Sequence, residues 1–186
     1  RVVVNAGFWL GDPDIDAVTR LAAPPDVIEY KLKDNFALDH GTWSPFNSQN
    51  TALHRDTIPA YFLSPFVGRF DDIWASYIVK AVADYLGDLI SFGHPLVKQC
   101  RNDHNLWHDF DLEKMGLQMT DVFCDWLLSC KFKGENYTSC TLELIDHIRI
   151  CLERDKGVPE EHRIQINYFI EGYIIWQRVL NICNRS

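Results

Sequence analysis

From Asp71 onward, apolar and aromatic residues recur at Ile73, Trp74, Tyr77, Ile78, Ala81, Val82, Tyr85 and Leu86. This i, i+3, i+4 repeat predicts a helix with one face against a core. Asp71 or Asp72 is suited to cap its start, and Gly87 to end it. Immediately after it, Leu89 to Phe92 reads as a buried strand closed by Gly93 and Pro95. Arg1 to Leu10 opens with β-branched residues and reads as another buried strand. A strongly amphipathic helix set among apolar strands commits this part of the chain to a helix layered on a sheet, an α/β fold.

The intervening segments are shorter. Asp12 is expected to cap a brief helix with Pro13 in its first position, running to about Leu21 and stopped by Pro24-Pro25. Val27 to Leu38 suggests one or two short strands. Asp39 to Asn50 reads as a loop, yet it carries Trp43 and Phe46, which are costly to expose. Asn50 to Leu53 is expected to be a strand, and Arg55 to Ile58 a helical turn. After about Asp109 the pattern becomes helical, over 117–130, 138–153 and 160–182, punctuated by Gly134 and Gly157-Val158-Pro159. The expected organisation is an α/β part, 1–115, followed by a helical extension, 116–186.

Composition narrows the function. The 186 residues are 47% hydrophobic, enough for a substantial core. A net charge of -8 argues against nucleic acid, which needs a basic footprint, and against adsorption to anionic membranes. No run of about 18 apolar residues is present, so no membrane span is expected. The six cysteines form no C-x-x-C pair and are read as mostly buried free thiols in a reducing, cytoplasmic setting. Asn136-Tyr137-Thr138 and Asn184-Arg185-Ser186 are formal glycosylation sequons, which carry little weight without a secretory signal. The chain starts at Arg1 rather than Met, already inside a strand, as expected of a sequence trimmed at its start.

Four groups of residues are able to carry chemistry. In Gly68-Arg69-Phe70-Asp71-Asp72-Ile73-Trp74, two carboxylates meet a helix N-terminus, where one can cap and the other bind or deprotonate a hydroxyl. Arg69 is placed to meet a phosphate or pair with an aspartate. In Ser48 to Asp56, Asn50 can offer its amide to sugar hydroxyls; an ordinary Asx turn explains the same residues. His94, Arg101, His104 and His108 make a polar run dense in phosphate binders and metal ligands, and on a helix His104 and His108 would share a face. Asp12-Pro13-Asp14 mimics a metal-binding D-x-D, but Pro13 at a helix start accounts for it. Trp74 and other aromatics can stack on sugar rings or pack in the core. No P-loop, G-x-G-x-x-G or G-x-S-x-G motif is present.

Taken in order, these segments resemble the reversibly glycosylated polypeptide family, which includes the UDP-arabinopyranose mutases. Gly7-Phe8-Trp9-Leu10, then Pro13-Asp14-Ile15-Asp16-Ala17, follow one family block. Asn50, Ala52, Arg55, Asp56 and Ile58 follow a second, and Gly68 through Trp74 match a third without a gap. Asp84, Leu86 and Gly87 match its D-x-L-G, and Gly93 and Pro95 its G-x-P. The resemblance covers about residues 2–115. It implies the downstream part of a GT-A-like mixed sheet flanked by helices, a glycosyltransferase or UDP-sugar mutase activity, and a divalent metal, Mn²⁺ or Mg²⁺. It implies catalytic roles for Asp71 and Asp72, Asp72 being the more reactive. Substrate contacts are expected from Asn50, Arg69, Trp74, His94, Arg101 and His104, with His104 and His108 as candidate metal ligands. The partners implied are a UDP-sugar and a carbohydrate or protein acceptor, in a cytoplasmic or Golgi-associated protein. The family's metal-binding acidic cluster and its self-glycosylated arginine lie upstream of the first block, and its histidine after G-x-P falls near Gln99.

The rival reading is a non-catalytic binding or assembly subunit that pairs with a complete glycosyltransferase domain. On either reading the helical region is a candidate for homo- or hetero-oligomer contacts or for acceptor binding.

Overall fold

The computed structural model describes residues 1–31 and 33–183. The second sequon, Asn184-Arg185-Ser186, lies outside them. Four strands, β1 (Val2–Gly11), β2 (Phe36–Ala37), β3 (Thr51–Leu53) and β4 (Leu89–Gln99), form one mixed sheet in the order β2-β4-β1-β3. β1 and β4 run parallel at its centre, while β3 and β2 pair antiparallel on their outer sides. The helices are α1 (Ala17–Ala22), α2 (Asp71–Leu86), α3 (Leu106–Ser129), α4 (Tyr137–Arg154) and α5 (Glu160–Cys183). The α/β class with a helical C-terminal region is as expected.

Several boundaries differ for identifiable reasons. β4 does not stop at Gly93 and Pro95 but continues to Gln99. Its register against β1 slips between Gly7↔Gly93 and Trp9↔Val97, so His94, Pro95 and Leu96 bulge outward. The proline's missing N–H therefore costs no ladder bond. Among the described residues between Val27 and Leu38 only β2 forms, plus a bridge from Val27 to Gly11. α1 is capped by Asp16, not Asp12: its carboxylate accepts the Thr19 N–H at 2.9 Å. Asp12 is instead paired with Arg20. α2 has no side-chain cap, because a 3-10 turn over Gly68–Phe70 runs straight into it and leaves Phe70 at the cap position. Asp71 and Asp72 occupy its first turn, where the helix dipole still favours them. Gly87 ends the helix in the left-handed region at φ 76°, as its sequence position suggests.

α2 is buried on more than its stripe. Ser76, Val79, Lys80 and Ala83 are inaccessible too, because the helix packs on β4 and is covered by α3 and α4. The Lys80 ammonium is neutralised by Asp84 at 2.6 Å. The Trp74 ring lies flat on Phe123 at 4.0 Å, with Phe169 edge-on to it. One apolar core extends from Val3 to Tyr173, and α3 itself crosses residue 115. α5 is tied to the first half through three consecutive carbonyls. Trp176, Gln177 and Tyr173 donate to the carbonyls of Ile58, Pro59 and Ala60 at 3.0, 2.6 and 3.0 Å. The thiols of Cys100, Cys124, Cys130, Cys140 and Cys151 are free, but of these only Cys140 is fully buried. No helix among the described residues is long and apolar enough to cross a membrane.

Candidate functional site

The parallel pair β1–β4 delivers two segments to one place. At their C-terminal ends the Asp12 N–H donates to the Gln99 carbonyl at 3.1 Å, which fixes the two exits side by side. β1 leads into Asp14 and β4 into Arg101, whose guanidinium reaches the Asp14 carboxylate at 3.5 Å. The start of α2 meets them from the side. Asp14, Asp16, Asn47, Arg69, Asp72 and Glu113 line a common cleft of about 330 Å³. Ligands of α/β sheets characteristically sit outside the carboxyl ends of parallel strands, where this cleft lies.

α3 organises the floor. Asp109 and Glu113, one helical turn apart, are both buried. Glu113 accepts from Arg69 Nε at 3.2 Å and from the Ala17 N–H of α1 at 2.6 Å. Asp109 accepts from Arg101 at 3.2 Å, and Arg69 lies 3.6 Å from its other oxygen. The approach of α3 to this corner requires Gly68, at φ 61°, because a Cβ there would stand 2.0 Å from the Leu112 carbonyl. Opposite, the Asp72 carboxylate accepts both the backbone N–H and the hydroxyl of Ser48, at 2.8 and 3.0 Å. Asp72 is thus held by the loop that the aromatics anchor: Phe46 is buried, and Trp43 stacks on Tyr77 at 5.9 Å.

Burial pushes the Asp14 carboxyl above its ordinary pKa, and the Asp72 charge adds to this; Arg101, Arg69 and Arg20 pull the other way without reversing it. Burial likewise raises Asp71, which lines neither this cleft nor its neighbour. Asp14 therefore binds its proton more tightly folded than unfolded. Its contribution to stability is present below the unfolded pKa and is lost as the pH rises through the folded one. Asp14→Asn is expected to raise Tm near neutral pH, with the gain shrinking as the pH falls to about 4 and below. Thermal melts across that range check the sign.

Other sequence candidates fall elsewhere. Asn50 and His94 share a second cleft of about 520 Å³ beside β3 and the β4 bulge. The Asn50 amide is already committed to the Phe8 carbonyl at 2.8 Å, and the His94 ring to the Lys33 carbonyl at 2.8 Å. Ser48 lines this second cleft while holding Asp72 in the first, so one loop separates the two. Trp74 reaches neither. It is fully buried, with its indole N–H donated to Thr120 at 3.0 Å, so it is a core residue rather than a sugar platform. His104 precedes α3 and meets Asp109 at 3.1 Å, whereas His108 follows the helix cap Asn105; the pair does not share a helical turn. Among the described residues no group of three or more His, Cys, Asp or Glu is placed to hold a metal ion. Of the carboxylates lining the first cleft, Asp14 is paired with Arg101 and Glu113 with Arg69, Asp16 caps α1 and Asp72 is held by Ser48; Asp12 and Asp109 beside it are also engaged by arginines. These residues do not by themselves fit a divalent cation. The sequon residue Asn136 caps α4.

Asp14 and Asp109 stood in polar groups of the sequence but were not among the expected site residues, and Glu113 gave no signal. The D-x-D spacing after an apolar strand was a usable signal for Asp14, outweighed by Pro13. The acidic pair was hidden because α3 starts eleven residues earlier than its apolar periodicity, its first inward face being acidic and arginine-paired.

Fold and cleft define an α/β protein with an acidic crevice at the C-terminal ends of its parallel strands. The family model for "Reversibly glycosylated polypeptide" matches residues 1–177, and the chain belongs to that family. Among its relatives, UDP-arabinopyranose mutase 1 of Arabidopsis thaliana is 28% identical over 149 residues, 76% of this chain and 42% of the relative. "Probable UDP-arabinopyranose mutase 1" of Zea mays is 34% identical over 103 residues, 52% of this chain and 28% of the relative. The alignments thus span less than half the length of these relatives.

Proposed function

We propose that this chain forms the sugar-handling part of a UDP-sugar enzyme, a mutase that interconverts sugar ring forms or a glycosyltransferase of related chemistry. The observation that carries the reading is the meeting of Asp14 and Asp72 in one cleft at the ends of β1 and β4. The relatives named as UDP-arabinopyranose mutases support the substrate class.

Charge decides which part of such a substrate enters. Around the cleft, Asp12, Asp14, Asp72, Asp109 and Glu113 outnumber Arg20, Arg69 and Arg101, and the arginines are already paired with carboxylates. A diphosphate would be repelled, whereas neutral sugar hydroxyls find acceptors. Closing or exchanging a sugar ring requires one hydroxyl to lose a proton as it attacks the anomeric carbon and the departing oxygen to gain one. Asp72, already oriented by Ser48, is placed to accept the first; Asp14, across the same cleft, is placed to pass on the second. Arg69 and Arg101 position the surrounding carboxylates and neutralise them as protons move. A Mn²⁺ or Mg²⁺ ion accompanying the diphosphate would need ligands beyond this cleft, and the proton transfers do not depend on it.

The test is turnover of UDP-arabinopyranose by the full-length protein, followed chromatographically, with and without Mn²⁺. Conversion to the furanose form or transfer to an acceptor, lost in Asp14→Asn, supports an enzyme. A folded protein without turnover, whose UDP-sugar binding is indifferent to Asp14, would favour the assembly-subunit reading.

A further inference from the structure

Trp74 is taken up by the core, yet the cleft holding Asp14 and Asp72 does not lack aromatic rings. Among the described residues two line it, Phe70 and Tyr77, beside Ile15 and Ile73. The two rings are not equivalent. α3 crosses the Phe70 ring at Gly116, where a Cβ would collide with the ring carbons, so one face of Phe70 is covered by helix backbone. Tyr77 is half-buried and lies one turn beyond Ile73 on α2, so the two side chains share a face of the helix. Trp43 lies against the Tyr77 ring, with centroids 5.9 Å and planes 19° apart. Trp43 does not itself line the cleft, so it backs the ring and leaves the other face of Tyr77 toward the cleft.

A sugar ring is amphipathic in the same sense as this wall. Its hydroxyls radiate from the rim, and its C–H bonds gather on the faces. Those C–H bonds are slightly positive, and the face of an aromatic ring is the negative part of its quadrupole. We propose that Tyr77 is the platform on which the sugar ring lies, with the sugar hydroxyls directed to Asp14 and Asp72. The inference rests on the reading of this cleft as the sugar site, and it names the residue that orients the ring there. The helix period explains why the platform is Tyr77 and not Trp74. Trp74 follows Ile73 by about 100° of helix rotation and is turned into the core, whereas Tyr77 returns to the cleft wall. Burial, followed by the neighbouring Cys124 and Asp121, pushes the Tyr77 hydroxyl up to about 12, so the phenol keeps its proton and acts through its ring rather than as a base. Trp43 holds the ring in place, so little side-chain freedom is lost when a sugar settles on it. A diphosphate gains nothing from an apolar ring face, so the platform acts on the sugar alone.

The experiment is calorimetric titration of the full-length protein with UDP-arabinopyranose and with UDP, in wild type, Tyr77→Phe and Tyr77→Leu, with a thermal melt of each. Tyr77→Phe keeps the ring and is expected to bind UDP-arabinopyranose as wild type does. Tyr77→Leu is expected to bind it about two- to twelvefold more weakly, the usual worth of an aromatic contact, with its affinity for UDP unchanged. Tyr77→Met, whose flexible side chain refills the space without a ring, takes its place if the leucine variant does not fold. Wild-type affinity for UDP-arabinopyranose in the ring-less variant would overturn the proposal. So would an equal loss in Tyr77→Phe, which would assign the contact to the hydroxyl, or an equal loss for UDP, which would make Tyr77 a structural residue. Failure of the underlying reading looks different. UDP-arabinopyranose then binds no more tightly than UDP, or is indifferent to Asp14→Asn/Asp72→Asn, and the platform falls with the site. If that double variant loses the affinity contributed by the sugar while Tyr77→Leu keeps it, the platform alone is overturned.

Discussion

Asp72→Asn is expected to reduce turnover of a UDP-sugar by about 10²- to 10⁴-fold, the usual contribution of a positioned proton acceptor. Stability should barely change. The asparagine oxygen still accepts a hydrogen bond from the Ser48 N–H or hydroxyl, and the residue is only partly buried at the mouth of α2. A partly exposed exchange of this kind moves stability by about 0.5 kcal/mol or less. The expected pattern is therefore a loss in kcat with Tm within a few degrees of wild type, measured on the same preparation. Normal kcat with a large fall in Tm would make Asp72 a structural anchor of the Ser48 loop and nothing more.

Trp74→Ala should show the reverse pattern. The indole is inaccessible, lies on Phe123 at 4.0 Å and gives its N–H to Thr120. Truncation removes this packing and leaves a cavity between α2, α3 and α5, costing about 3–5 kcal/mol. For a chain of this size that is a fall in Tm of about 10 °C, read by calorimetry. Sugar affinity of the protein that remains folded should be unchanged. A selective loss of sugar affinity with normal Tm would return Trp74 to the binding site.

What was legible in the sequence follows from which forces write patterns. α2 was visible because its inward face is apolar at helical spacing, and Gly87 because a left-handed cap favours glycine. β1 was visible from its β-branched opening. The start of α3 was not, since a face of Asp109 and Glu113 paired to arginines leaves no apolar period. Asp72 was legible from the Arg69-Phe70-Asp71-Asp72 block, but its holder Ser48 and its neighbour Asp14 arrive from distant segments. Only the parallel pairing of β1 with β4 brings Asp14 and Arg101 together, and neither strand's own sequence encodes that register. Trp74 shows the converse: a residue inside the most legible motif, placed by the helix period in the core rather than at the site.

On the proposed reading, the cleft holding Asp14 and Asp72 takes the sugar rather than the diphosphate. Calorimetric titration of the full-length protein with a UDP-sugar and with UDP, in wild type and in the Asp14→Asn/Asp72→Asn double variant, tests it directly. The double variant is expected to lose the extra affinity contributed by the sugar and to keep its affinity for UDP. Equal affinity of wild type and variant for the UDP-sugar, or a parallel loss for UDP alone, would contradict it.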